Sequence, residues 1–198
     1  LIAQGLELAK KSTEYPWTYV RSQLLMALAK TAPSKLPREI EDAMSSGDSE
    51  VRRGVARALR IANNLPEPGV FLFVENIGTL PRQVQHVVAA LGFEAEVNNG
   101  GISQYFFNSA GDDSAIALEG FRAMGATEFA EILQRAIDHV GPRGASPDRE
   151  VRMAWYAKLP DDKEELLDEL SSRVFDDPDH LDLRITKYGG HCGYIGQP

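Results

Sequence analysis

The sequence predicts an all-α protein in which HEAT-like helical repeats precede an irregular helical domain. Two observations lead to this fold class. Apolar residues recur at the three- and four-residue spacing of helices along most of the chain. No stretch shows the sustained alternation of apolar and polar residues that marks a half-buried strand.

The repeats are visible as a similarity between two segments that lie 31 residues apart. Val20 and Arg21 correspond to Val51 and Arg52, and both segments carry apolar residues along one helical face. A shorter helical stretch precedes each segment, and such pairs of helices are typical of HEAT repeats. We therefore predict HEAT-like repeats in residues 1–64.

A cluster of turn-forming residues follows the repeats at 63–69 and gives the clearest domain boundary. The apolar run at residues 70–74 is compatible with either a strand or a buried helix. From these features we predict a second helical domain over residues 65–188. The remaining residues, 189–198, are predicted to form an irregular C-terminal tail.

Five helices are predicted in the second domain from apolar spacing and from the residues that start or stop a helix. Pro81 opens the first helix, Gly125 ends the second, and Gly141-Pro142 ends the third. The predicted segments are 81–95, 114–124, 129–140, 148–159 and 161–174.

Negative charge is concentrated near the C-terminal end. The chain has 29 acidic and 21 basic residues, and its net charge of −8 argues against a general nucleic-acid binder only where the charge is spread evenly, which it is not. Six acids within nine residues of one helix give about one charge per 2.2 Å, whereas duplex DNA has one per about 1.7 Å. We predict a partner-binding acidic face formed by Asp161, Asp162, Glu164, Glu165, Asp168, Glu169, Asp176, Asp177 and Asp179.

The densest motif lies within residues 94–112. Consecutive Asn and Gly residues predict a helix stop because both tolerate positive φ, and we expect Gly100 to be left-handed. Gln104 and Asn108 are four residues apart and share a helical face beyond the stop. The motif residues, which we expect to be mainly structural, are Glu96, Asn98, Asn99, Gly100, Gly101, Gln104, Phe107 and Asn108.

The run Glu-x-Asn-Asn-Gly-Gly-x-x-Gln-Tyr-Phe-Phe-Asn, beginning at Glu96, resembles the hallmark of a bacterial DNA-mimic protein family. The similarity extends over about residues 66–188. It implies an all-helical fold that permits a homodimer. It also implies a role in which the protein binds a transcriptional regulator in place of DNA.

We therefore predict a non-enzymatic interaction module whose acidic face contacts a basic, DNA-binding protein, without direct binding to nucleic acid. Two alternatives remain open. The HEAT-like repeats can act as a scaffold that binds a peptide in its groove. The Asn-Asn-Gly-Gly corner can instead form a small-molecule site.

No catalytic residue, cofactor or metal site is predicted. His180, His191 and Cys192 do not have the spacing of a standard zinc site. No apolar run approaches the roughly 18 residues of a membrane span. Because the chain has one cysteine and no recognisable secretory signal, we expect a cytoplasmic protein.

Overall fold

The computed structural model describes residues 2–10, 16–44, 48–62, 77–159 and 161–192. Within them the chain forms ten α-helices, joined by turns and short 3-10 segments, and no strand. The predicted all-α class is therefore confirmed. The chain divides into two compact units, Leu1–Glu67 with Ile185–Pro198, and Pro68–Arg184.

Four helices from the N-terminal part of the chain belong to the first unit. They are α1 (Ile2–Ala9), α2 (Trp17–Thr31), α3 (Leu36–Met44) and α4 (Ser49–Ala62). α1 packs on α2, α3 packs on α4, and α2 packs closely on α4. A side chain at Gly54 would place its Cβ 2.7 Å from the Cα of Ser22, so glycine is needed for this close approach. The helix pairs agree with the predicted positions, while their assignment as HEAT-like repeats remains a prediction.

The ends of α4 are held by polar contacts. Asp48 precedes the helix, and its carboxylate accepts hydrogen bonds from the backbone N–H groups of Glu50 (2.9 Å) and Val51 (3.1 Å). In the last turn Arg60 is buried, and its Nη1 donates to Thr186 Oγ1 at 3.0 Å. The apolar face of α4 between these contacts is buried in the first unit.

The second part of the chain contains six helices. They are α5 (Arg82–Phe107), α6 (Ser114–Met124), α7 (Thr127–Gly144), α8 (Arg149–Tyr156), α9 (Asp161–Phe175) and α10 (Leu181–Cys192). All five helices predicted in this region are present. α10 was not predicted, and it includes residues 189–192, which the sequence assigned to an irregular tail. The apolar run at 70–74 and the proposed boundary at 63–69 lie outside the described residues.

A cluster of aromatic rings forms the centre of the second unit. The ring of Phe93 on α5 meets Tyr105, Phe121 and Phe129 edge-on, with centroids 4.9, 5.4 and 6.4 Å apart. All four side chains are almost completely buried. Such aromatic pairs stabilise a core beyond the effect of burial alone, and here they fix α5 against α6 and α7.

Candidate functional site

The candidate site consists of two neighbouring features of the second unit. The first is the motif corner, which we define as residues 96–108. The second is α9, which packs against α5 with one side and exposes the other side. Their contacts show how a sequence motif positions a charged helix.

The motif corner is a break within α5. Gly101 has φ 80° and ψ 178°, a backbone conformation that is essentially restricted to glycine. Gly100 has φ −164°, so the expectation that Gly100 is left-handed is wrong, and its neighbour has the positive φ. Beyond the break, Ile102 N–H donates to Ser171 Oγ on α9 at 2.9 Å. This hydrogen bond therefore connects the motif corner to α9.

Gly100 is required for a different reason. A Cβ at this position would lie 2.0 Å from Gln104 Oε1 and 2.7 Å from Gln104 Cδ. Gly100→Val is therefore expected to turn Gln104 away and to lower the free energy of unfolding by about 1–3 kcal/mol. Urea denaturation measures this change. In a Gln104→Ala background the same substitution is expected to cost much less, and equal costs in both backgrounds would contradict this explanation.

Glu96 joins the two sides of the break. Its Oε2 accepts hydrogen bonds from Gln104 Nε2 at 2.9 Å and from Asn108 Nδ2 at 2.8 Å. The structure thus brings together three of the predicted motif residues. The side chains of Asn98 and Asn99 are exposed and lie outside this network. The bonded carboxylate and amides stabilise the corner, in agreement with a structural role.

Arg152 was not among the predicted site residues, and it has no exposed surface. Its guanidinium donates to the backbone carbonyls of Phe106 (2.6 Å), Asn108 (2.9 Å) and Ser146, and to Asp112 Oδ1 (2.5 Å). These acceptors lie 40 to 46 residues away along the chain, apart from Ser146. Only a tertiary structure can show this cluster, which holds the C-terminal end of α5.

Titratable groups near Arg152 have altered proton affinities. Burial raises the pKa of the Tyr105 phenol above its usual value, and the negative charge of Asp113 raises it further. Burial also raises the pKa of Asp113, with a contribution from Asp112, while Arg152 opposes it. Tyr105 therefore stays neutral in the folded protein, as its place in the aromatic core requires.

A cavity of about 370 Å³ opens beside the motif corner. The described residues that line it come from α5, α8, the turn after α8, and α9. They are Ser103, Gln104, Phe107, Tyr156, Leu159 and Glu164. Burial raises the pKa of the Tyr156 phenol, so this hydroxyl stays protonated at neutral pH. The cavity thus combines the aromatic residues Phe107 and Tyr156 with the carboxylate of Glu164.

The exposed side of α9 carries most of the predicted acidic residues that can be placed. Leu167, Leu170 and Val174 are buried, which turns the carboxylates of the helix toward solvent. We call the exposed acids the acidic face, and its members are Glu164, Glu165, Asp168, Glu169 and Asp176. In the described part of the chain no cation lies within 4.0 Å of these carboxylates. The side chains of Asp161 and Asp162 lie outside the described residues.

Two acids of the predicted face have a different place. Asp177 Oδ1 accepts from the backbone N–H of Leu181 at 2.8 Å and so caps α10. Asp179 is only 7% exposed, and its Oδ2 accepts from the backbone N–H of Phe129 at 2.9 Å at the start of α7. Because both carboxylates hold helix ends, we exclude them from the acidic face.

The described residues also bear on metal binding and on membrane insertion. Among the described residues no three His, Cys, Asp or Glu side chains come together in a group able to hold a metal ion. No described helix has the length and apolar character needed to cross a membrane. The side chains of His191 and Cys192 lie outside the description.

Comparison with known proteins gives one family. The family model described as DMP19-like protein matches residues 78–189, which is more than half of the chain. The match includes both the motif corner and the acidic face. Neither the curated proteins nor the solved structures contain a match to this sequence.

Proposed function

The chain belongs to the DMP19-like protein family, and on that premise we propose that it is a non-enzymatic DNA mimic that binds a basic, DNA-binding protein. The observation that carries the proposal is the acidic face, whose carboxylates are exposed and have no cationic partner in the described residues. The proposed partner is a transcriptional regulator of the bacterial cytoplasm, as the family resemblance implies.

The charge spacing on α9 supports this proposal. Glu164, Glu165, Asp168 and Glu169 place four carboxylates within six residues. At the helical rise of about 1.5 Å per residue this is roughly one charge per 2.2 Å. DNA carries one charge per about 1.7 Å as a duplex and one per about 3.4 Å along each strand. The density of negative charge on α9 is therefore comparable with that of DNA, and a protein surface that binds DNA phosphates can bind these carboxylates in the same way.

Within the described residues, the acidic face forms no internal ion pairs, which has an energetic consequence. A basic partner does not have to displace a described arginine or lysine before it can bind the five carboxylates. Exposed charges of one sign also attract an oppositely charged protein over distances of about a Debye length. Binding is therefore expected to be fast at low salt and to weaken steeply as ionic strength rises.

Charge reversal tests the proposal. A regulator recovered with the wild-type chain at low salt is purified, and its affinities for the chain and for DNA are measured. Glu165→Lys with Asp168→Lys is expected to weaken binding by at least about tenfold, or roughly 1.4 kcal/mol. The wild-type chain is also expected to displace DNA from the regulator.

The matched control carries the same charge change at two exposed acids that are not members of the acidic face. Glu41 lies on α3 and Glu150 on α8, so Glu41→Lys with Glu150→Lys changes the net charge equally. This control is expected to keep most of the affinity. Equal loss in both double variants, or no loss in either, would refute a role for the acidic face.

Salt dependence also separates the proposed function from a peptide-binding groove in the HEAT-like repeats. Groove binding depends on apolar contact and is expected to respond weakly to ionic strength. A small-molecule site made by the motif amides is disfavoured because Gln104 and Asn108 already donate to Glu96. These donated hydrogen bonds stabilise the corner.

A further inference from the structure

We propose that the cavity beside the motif corner binds an arginine side chain of the basic partner and fixes where the partner sits on the acidic face. This inference rests on the proposed function, because the acidic face brings the cationic partner to the cavity. Glu164 connects the two, since it lines the cavity and is also a member of the acidic face. An arginine entering the cavity thus remains next to a carboxylate.

The lining favours a cation with an apolar stem. Phe107, Tyr156 and Leu159 supply apolar surface, and Glu164 supplies negative charge. No basic side chain is among the described lining residues. Arg149 donates to the backbone carbonyl of Phe107 at 3.3 Å but does not line the cavity. A cation above an aromatic ring is attracted by the ring electrons, so the cavity suits the methylene chain and charged head of a long basic residue.

The shape and hydration of the two basic side chains favour arginine over lysine. A guanidinium offers five N–H donors in a plane and can stack on an aromatic ring at the same time. An ammonium is more strongly hydrated and has three donors on one atom. Arginine can therefore stack on the rings and pair with the Glu164 carboxylate at the same time.

The wall of the cavity is held in place before a ligand arrives. Gln104 is bonded to Glu96, and the backbone on both sides of Phe107 is bonded to Arg152 through the carbonyls of Phe106 and Asn108. Phe107 itself is 41% exposed, whereas the adjacent Tyr105 and Phe106 are fully buried. A rigid wall that presents one exposed ring reduces the ordering that binding must impose.

The test uses the full chain and Nα-acetyl-arginine methylamide as the probe, with NMR detection of the backbone amides. We expect saturable shifts at Ser103, Gln104, Phe107 and Tyr156. The lysine analogue is expected to bind at least fivefold more weakly, and the neutral citrulline analogue is expected to cause no shift. Equal responses to arginine and citrulline would overturn the inference.

Variants of two lining residues test whether arginine binds in the cavity. Phe107→Ala and Glu164→Gln are each expected to weaken arginine binding by about fivefold or more. Phe175→Ala is the matched control, because Phe175 is an exposed phenylalanine at the end of α9 outside the lining. It is expected to leave binding unchanged. Equal binding by the wild type and both cavity variants would overturn the inference.

A hexa-arginine peptide separates this inference from the proposed function. Shifts at Glu165, Asp168 and Glu169 without shifts in the cavity would overturn the arginine site and leave the proposed function intact. Shifts in both places would support both. Shifts in the cavity, combined with full regulator binding by Glu165→Lys with Asp168→Lys, would support the arginine site and refute the acidic face.

Discussion

Arg152→Met is expected to lower the free energy of unfolding of the second unit by about 3–5 kcal/mol. The guanidinium is fully buried and donates to three backbone carbonyls and to Asp112. Methionine fills much of the space but leaves three backbone carbonyls without their donor, at roughly 1–3 kcal/mol for each one that is buried, whereas Asp112, with a side chain 43% exposed, can be solvated. Urea denaturation followed by the fluorescence of Trp155, on the same helix, measures the change.

Arg149→Met is the matched control for this prediction. It removes the same charge from the same helix, but the side chain is exposed and, among the described residues, donates only to the carbonyl of Phe107, at 3.3 Å. We expect a loss below about 1 kcal/mol. Trp17, on α2 in the first unit, is replaced by phenylalanine in all variants so that Trp155 alone reports. Similar losses for both arginine variants would show that the buried contacts do not determine stability.

The helices could be predicted because their signals are local. α6 has the predicted ends, since Gly125 has a φ of +71° and so closes the helix in the left-handed conformation. α7 was expected to end before Gly141-Pro142, yet helical structure continues to Gly144 after a break at Gly141. Proline is tolerated there because it follows the break, where a helix start requires no N–H donor.

α10 was missed because its sequence gives a weak helical signal. Its buried apolar residues, Leu181, Leu183 and Ile185, have a two-residue spacing, and Gly189-Gly190 argues against a helix. The helix nevertheless forms after the cap supplied by Asp177. Tertiary burial therefore outweighs the low intrinsic propensity of this segment.

The members of the acidic face could be predicted only in part, because some acids of this region make contacts with distant residues. Helical periodicity correctly placed Glu165 and Asp168 opposite the buried leucines. Periodicity cannot show that Asp179 accepts from the backbone of Phe129, 50 residues away in the chain. Local sequence also does not distinguish Gly100, which leaves room for the side chain of Gln104, from Gly101, whose positive φ requires glycine.

The link between the motif corner and the acidic helix can be measured with a pair of glycine substitutions. Gly101 and Gly141 have nearly the same backbone conformation, with φ and ψ of 80° and 178° in one and 70° and −176° in the other. Alanine is expected to cost about 1–3 kcal/mol of strain at either position. A Cβ at Gly141 meets nothing within 4 Å, whereas a Cβ at Gly101 lies 3.2 Å from Ser171 Oγ.

Gly101→Ala is therefore expected to destabilise the second unit more than Gly141→Ala, by about 0.5–1.5 kcal/mol, through loss of the Ile102–Ser171 hydrogen bond. In a Ser171→Ala background this excess is expected to disappear. If Gly101→Ala remains more destabilising than Gly141→Ala in the Ser171→Ala background, the difference does not come from the Ile102–Ser171 hydrogen bond. If it disappears, the corner orients α9 through one serine, and Gly101→Ala is then expected to weaken regulator binding without altering any charge of the acidic face.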